Sequence, residues 1–275
     1  LEVLDKLEMR KVADDEKPTD GGNMVSFVIS DCFVSGGRRI PVVVLFILGL
    51  MAGIATGASA KGEEVAFNTS DGIAIKATWY EASAGAPTVI CLHQWRSDAS
   101  SYSDLAEALL KAGCNVLALD MRGHGRSTST IDGKPVAPDR LARADVEAAV
   151  DWLSHRKGVD VGRLVLIGAS YGASNAIMYA ADNPSVKAVV LLSPGMNYFN
   201  VLPVEPAVRK YGSRPLLLVA SSEDMRSVEA VRKITSINKD VYQSKIMDNC
   251  GHGTEMFSCG QVLKSLILNF ISEKT

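Results

Sequence analysis

Eight short apolar runs, separated by stretches with helical periodicity, leave this chain few folds to choose from. The runs are 64–68, 73–80, 88–93, 115–120, 163–167, 186–192, 215–220 and 241–247. Between them, 98–112 carries Leu105, Leu109 and Leu110 at helical spacing, 139–155 carries Leu141, Val150 and Leu153, and 173–181, 227–237 and 255–272 are patterned alike. Strands that alternate with helices in this way build a mostly parallel sheet. The expectation is therefore an α/β fold, an eight-stranded sheet with helices on both faces. Ser70-Asp71-Gly72 is a hairpin signal between the first two runs, so that edge should be antiparallel. Only about twenty residues separate the runs ending at Leu192 and starting at Pro215, too few for a helical lid domain. The lid should be minimal and the site open.

The first sixty residues follow different rules. Residues 1–23 are polar and charged, with no apolar period, and read as a disordered leader. Arg38 and Arg39, the apolar run 40–57 and the triplet Ala58-Ser59-Ala60 then follow in the order of a secretory signal peptide. Cleavage after Ala60 would leave 61–275 as an exported domain, periplasmic or secreted. Retention of 40–57, which is near bilayer-spanning length, would anchor it to a membrane instead. A net charge of −2 with scattered Lys and Arg provides no basic field for nucleic acid. Cys91 sits inside an apolar run and reads as core, whereas Cys250 and Cys259 flank His252 and could pair. No Cys or His spacing suggests a metal.

The strongest local signal is Gly168-Ala169-Ser170-Tyr171-Gly172, a G-x-S-x-G sequence between the run 163–167 and the helical stretch 173–181. In that strand–turn–helix context the glycines permit a tight turn that lifts a serine above the sheet. The helix N-terminus then brings backbone N–H groups to a developing oxyanion. A serine at its normal acidity needs a histidine to take its proton and a carboxylate to orient that histidine. Of the four histidines, His93, His124 and His155 precede the serine, and only His252 follows it, in a Gly-flanked loop after the last strand. The acid should follow a late strand. Asp224 is the first choice, Glu223 the runner-up, and Asp248 a third, being so near His252 that it reads rather as a cap of the loop.

Together these residues resemble the α/β-hydrolase family, over about 63–270. Two further segments share in the likeness: Leu92-His93-Gln94-Trp95 resembles the family's His-Gly segment, and Asp120-Met121-Arg122-Gly123-His124-Gly125-Arg126-Ser127 its D-x-R-G-H-G-x-S turn. The resemblance implies an oxyanion hole from the backbone N–H groups of Trp95 and Tyr171, and structural roles for His93 and His124. Gln94 replaces the usual glycine, so its side chain is expected to reach into the site. The short chain and minimal lid look most like the dienelactone-hydrolase-like group, although the namesake enzymes carry cysteine where this chain has Ser170. The implied activity is hydrolysis of a small carboxylic ester through a serine acyl-enzyme, on a small-molecule acyl substrate and without a cofactor. A peptidase or thioesterase on the same triad, or an idle hydrolase fold used for binding, are the alternatives. Trp95, Met196, Tyr198 and Phe199 are the expected lining of a shallow acyl cleft.

Overall fold

The computed structural model describes residues 62–275, together with the backbone of two short strands, Ser30–Phe33 and Arg39–Val42. Those two strands pair with each other antiparallel. The signal-peptide reading, with its cleavage point after Ala60 and most of the apolar run 40–57, lies outside the described residues. Among the described residues no helix is long and apolar enough to cross a membrane.

The sheet has the eight strands expected: β1 Glu63–Asn68, β2 Ala74–Tyr80, β3 Thr88–Leu92, β4 Asn115–Asp120, β5 Leu164–Ala169, β6 Val186–Leu192, β7 Leu216–Ser221 and β8 Gln243–Met247. Their spatial order is β8-β7-β6-β5-β3-β4-β2-β1. From β4 to β8 every pairing is parallel; β2 runs antiparallel to both β4 and β1, as the hairpin signal predicts. Among the described residues six α-helices join the sheet: α1 Ser103–Lys111, α2 Arg143–Ser154, α3 Tyr171–Asp182, α4 Val204–Tyr211, α5 Met225–Thr235 and α6 Gln261–Lys274.

Strands β3, β4, β5 and β7 are buried at every position because both faces are covered. Successive side chains alternate between the faces. Val89, Cys91, Val165 and Ile167 pack with Leu105 of α1 and Leu263, Ile267 and Phe270 of α6. Ile90, Leu92, Leu164 and Leu166 pack instead with α2 to α5, through residues such as Leu153, Ile177, Val208 and Val231. Cys91 is a free thiol in the first of these layers, as its place in an apolar run implies.

The stretch 98–112 opens as a 3₁₀ turn, Ala99–Tyr102, before α1; three further helix boundaries depart from the periodicity, each for a local reason. The stretch 139–155 becomes helical only at Arg143, because the Tyr171 hydroxyl donates to Asp139 O (2.7 Å) and Ala142 N donates to Asn175 Oδ1 (3.0 Å), pinning 139–142 to α3. The helix expected over 227–237 starts at Met225, because Asp224 caps it by accepting from Ser227 N (3.3 Å). The stretch 255–272 is broken at Gly260, whose φ of 86° separates a 3₁₀ segment, Gly253–Cys259, from α6. Strand ends shift as well: the last run, expected from 241, begins at Gln243, and β5 begins at Leu164 because Arg163 belongs to a 3₁₀ turn capped by Asp160.

Candidate active site

Strands β3, β5, β6, β7 and β8 are parallel, so the loops after them gather at one edge of the sheet, where open α/β sheets bind ligands. Arg96, Ser170, Ser193, Phe199, Asn200 and Asn249 are the non-glycine residues with positive φ among the described residues, and all of them lie in these loops. Backbone strain of this kind costs of order 1–3 kcal/mol per residue and collects where a function needs it.

Ser170 lies between β5 and α3 with φ 51° and ψ −111°. The neighbouring glycines are required by close approach. A Cβ on Gly168 would lie 2.3 Å from Gly172 O, and one on Gly172 would lie 2.1 Å from Leu92 O and 2.6 Å from His93 O. The turn is therefore wedged against the end of β3. Ser170 N donates to Leu192 O (2.8 Å), tying it to β6 as well.

His252 follows β8, and its Nδ1 is 2.6 Å from Asp224 Oδ2. Asp224 is reached by a tight turn after β7, with its N–H donating to Ser221 O (3.0 Å). Burial pushes the Asp224 carboxyl up. The neighbouring Ser227, through hydroxyl and N–H, and the imidazole of His252 outweigh that, so its pKa stays below the usual carboxylate value. Glu223 faces elsewhere: it accepts from the Ser221 hydroxyl and from Gly251 N (2.6 Å). Asp248 accepts from the Ser222 hydroxyl (3.0 Å). Of the three carboxylates weighed, only Asp224 is hydrogen-bonded to the His252 ring.

The histidine loop is closed by a disulfide between Cys250 and Cys259, with Cα atoms 5.6 Å apart. Four residues from three other segments hold it from outside by hydrogen bonds. Cys250 N donates to Ser221 Oγ (2.6 Å), Gly251 N to Glu223, Gly253 N to Ser193 Oγ (2.9 Å) and Thr254 N to Gln94 Oε1 (2.7 Å). Position 253 also abuts the elbow, since a Cβ there would come within 3.4 Å of the Ala169 side chain. The residue after His252 and the residue before Ser170 are thus neighbours.

The peptide joining Gln94 to Trp95 is held by its carbonyl. Gln94 O accepts from His93 Nδ1 (2.8 Å) and from Ser97 N (3.1 Å). In a trans peptide this aims the Trp95 N–H the opposite way. His93 Nε2 accepts from Met121 N (3.0 Å), so Nδ1 carries the proton. Burial holds the His93 imidazole down to about 4, which keeps it neutral in this role. His124 Nδ1 is 2.9 Å from Arg122 O. Trp95 packs on His124 (4.8 Å between centroids), Phe199 (4.9 Å) and Tyr171 (5.2 Å), and Arg140 lies 5.3 Å over the Phe199 ring.

No lid domain follows β6. Instead Asn197–Tyr198 and Leu202–Pro203 form a small hairpin before α4. Phe199 and Asn200, both at φ 58°, make its turn, closed by Val201 N donating to Tyr198 O (3.2 Å). The four residues expected to line one cleft divide in two. Trp95 and Phe199 belong to the aromatic block, while Met196 and Tyr198 line a cavity of about 520 Å³ beside Asp224 and His252, together with Arg226 and Glu229. Arg226 and Glu229 escaped the sequence reading because nothing marks them off from any charged pair on an exposed helix. Among the described residues no cluster of His, Cys, Asp and Glu is arranged to hold a metal.

The comparisons with known proteins agree with this architecture. The family model for the alpha/beta hydrolase fold matches residues 87–213. A Pyrococcus furiosus esterase superposes with a TM-score of 0.62 at 26% identity, covering 78% of this chain and 91% of its own. A dienelactone hydrolase from Anabaena variabilis gives a TM-score of 0.62 at 18% identity, covering 78% and 99%. In sequence, an uncharacterised protein of Mycobacterium tuberculosis is 27% identical over 77% of this chain and 80% of its own length. A thiohydrolase of Arthrinium phaeospermum is 32% identical over 50% of this chain and 45% of its own. The chain has the α/β-hydrolase fold. The esterase and the thiohydrolase among these proteins support a hydrolase.

Proposed function

We propose that the protein hydrolyses a small carboxylic ester through an acyl-enzyme on Ser170, with His252 as general base and Asp224 as its orienting acid. The observation that carries this reading is the 2.6 Å contact between His252 Nδ1 and Asp224, in a loop that abuts the Ser170 elbow. Asp224 holds the tautomer in which Nε2 is free to take the serine proton. Ser170 Oγ attacks the acyl carbonyl, and the N–H groups of Trp95 and Tyr171 receive the oxyanion. His252 then passes its proton to the leaving oxygen, and water releases the acyl group by the same steps in reverse. Because the imidazole delivers that proton, the leaving group lies on its side, where the 520 Å³ cavity is. The oxyanion side is filled by Trp95, Tyr171 and Phe199, which favours a short acyl group.

A fluorophosphonate probe should label Ser170. Ser170→Ala and His252→Ala should each cost about 10⁴-fold or more in kcat, with Asp224→Asn somewhat less and Glu223→Gln far less. On p-nitrophenyl esters kcat/KM should peak between acetate and butyrate. Absence of labelling would leave an idle binding fold, and an optimum at decanoate would contradict the short acyl site. The likeness to a thiohydrolase makes acyl thioesters the second class to assay; rapid amide cleavage without ester turnover would mean a peptidase.

Export is part of the same proposal. The disulfide beside His252 supports it, because such bonds persist in oxidising compartments. N-terminal sequencing of the secreted product should begin at Lys61; a product that keeps 40–57 would overturn it.

A further inference from the structure

Gln94 stands where the family resemblance leads one to expect glycine, and its side chain spans the site to the far loop. Its Oε1 accepts from Thr254 N (2.7 Å) and from Thr254 Oγ1 (3.1 Å), 160 residues along the chain. The carboxamide has one possible orientation here, since a backbone N–H only donates and must face the oxygen. The fit also works in reverse. A Cβ on Gly253 would lie 2.0 Å from Gln94 Oε1 and 3.0 Å from its Cδ, so the carboxamide occupies the space that any other residue at 253 would need.

Gln94 is tied equally firmly at its other end. Its carbonyl is held by His93 Nδ1 and Ser97 N, and that carbonyl belongs to the same peptide as the Trp95 N–H. One residue therefore joins, through its main chain, the peptide that presents an oxyanion donor and, through its side chain, the residue two beyond His252. Neither end is free to move: His93 is braced by Met121 N, and Gly253 N is held by Ser193 Oγ.

We propose that Gln94 is a positioning residue, a strap that sets the distance between the oxyanion peptide and the His252 imidazole. This rests on the reading of Ser170 and His252 as the reacting pair. Displacement of a catalytic group by about 1 Å costs on the order of 10²-fold in rate. The remaining anchors at Ser193, Ser221 and Glu223 limit the loss when the strap alone is removed.

Gln94→Met keeps the length and removes the acceptor. It should lower kcat by roughly 10- to 100-fold with KM within about twofold, and slow fluorophosphonate labelling of Ser170 in parallel. Amide hydrogen exchange over residues 251–255 should rise in the same variant. Gln94→Glu retains an acceptor for Thr254 and should restore slow exchange; its turnover is not the readout, because a carboxylate beside the oxyanion disfavours the reaction. Thr254→Val leaves Gln94 intact, removes only the 3.1 Å bond, and should lose about three- to fivefold in kcat, which covers the case in which Gln94→Met does not fold. Wild-type kcat and labelling in Gln94→Met would overturn the proposal, as would exchange equally raised in Gln94→Glu. A wild type that neither labels nor turns over any acyl compound would instead remove the hydrolase reading on which it rests.

Discussion

The five residues from Gly168 to Gly172 hold Ser170 by backbone sterics, whereas the ten from Cys250 to Cys259 hold His252 by side-chain bonds reaching in from elsewhere. At the elbow there is no side chain to substitute: Gly168 and Gly172 are fixed by carbonyl and Cα atoms between 2.1 and 2.6 Å from where a Cβ would stand. At the histidine loop the partners are Gln94, Ser193, Ser221 and Glu223, four residues from three separate segments, plus one disulfide. A joint made by exclusion fails all at once. A joint made of several bonds fails in steps, and each step is small.

The largest effect should follow from breaking the elbow. Gly172→Ala puts a methyl group onto Leu92 O and His93 O, neither of which can move without disturbing β3. Overpacking against backbone should cost 3 kcal/mol or more, read as the shift in urea-unfolding free energy, and turnover should be lost with it. An alanine variant with unchanged stability would mean that the elbow is softer than its contacts suggest.

A second effect concerns His93, which holds the Gln94–Trp95 peptide through Gln94 O. Its imidazole titrates at about 4 in the folded chain because it is buried, against 6.5 for a free histidine. Between these values the unfolded chain binds the extra proton, so stability falls as pH drops through 6.5 towards 4 and levels off below. The total is roughly 3 kcal/mol. Urea unfolding at pH 7 and pH 4 should show an acid loss smaller by about that amount in His93→Gln. Equal losses in both proteins would assign the acid sensitivity to other groups.

The smallest effect should come from the histidine loop. Replacing Cys250 and Cys259 together with serine opens a ring with a sequence separation of nine. Loop-closure entropy puts the stability cost at about 2–3 kcal/mol. Turnover should fall less than about fivefold, because the four hydrogen-bonded anchors remain. A hundredfold fall in kcat would show that the disulfide, not the hydrogen bonds, positions His252, and would erase the contrast between the two joints.

That contrast also sorts what could be read before any coordinates. The sequence by itself determined the eight strands, the antiparallel first edge and the elbow, because each depends on neighbours within a few residues: apolar periodicity, the Ser70-Asp71-Gly72 turn, and the glycines around Ser170. It put Asp224 ahead of Glu223 and Asp248 as the partner of His252. The turn after β7 is what brings Asp224 to the His252 ring and Glu223 to Gly251 N. Only the tertiary structure decided that 139–142 is pinned to α3 in place of extending α2. It likewise separated Trp95 and Phe199 from Met196 and Tyr198, and placed Gln94 against Thr254. Each of these outcomes is a contact between segments far apart in the chain, and spacing along a sequence carries no information about which distant donor will meet which acceptor.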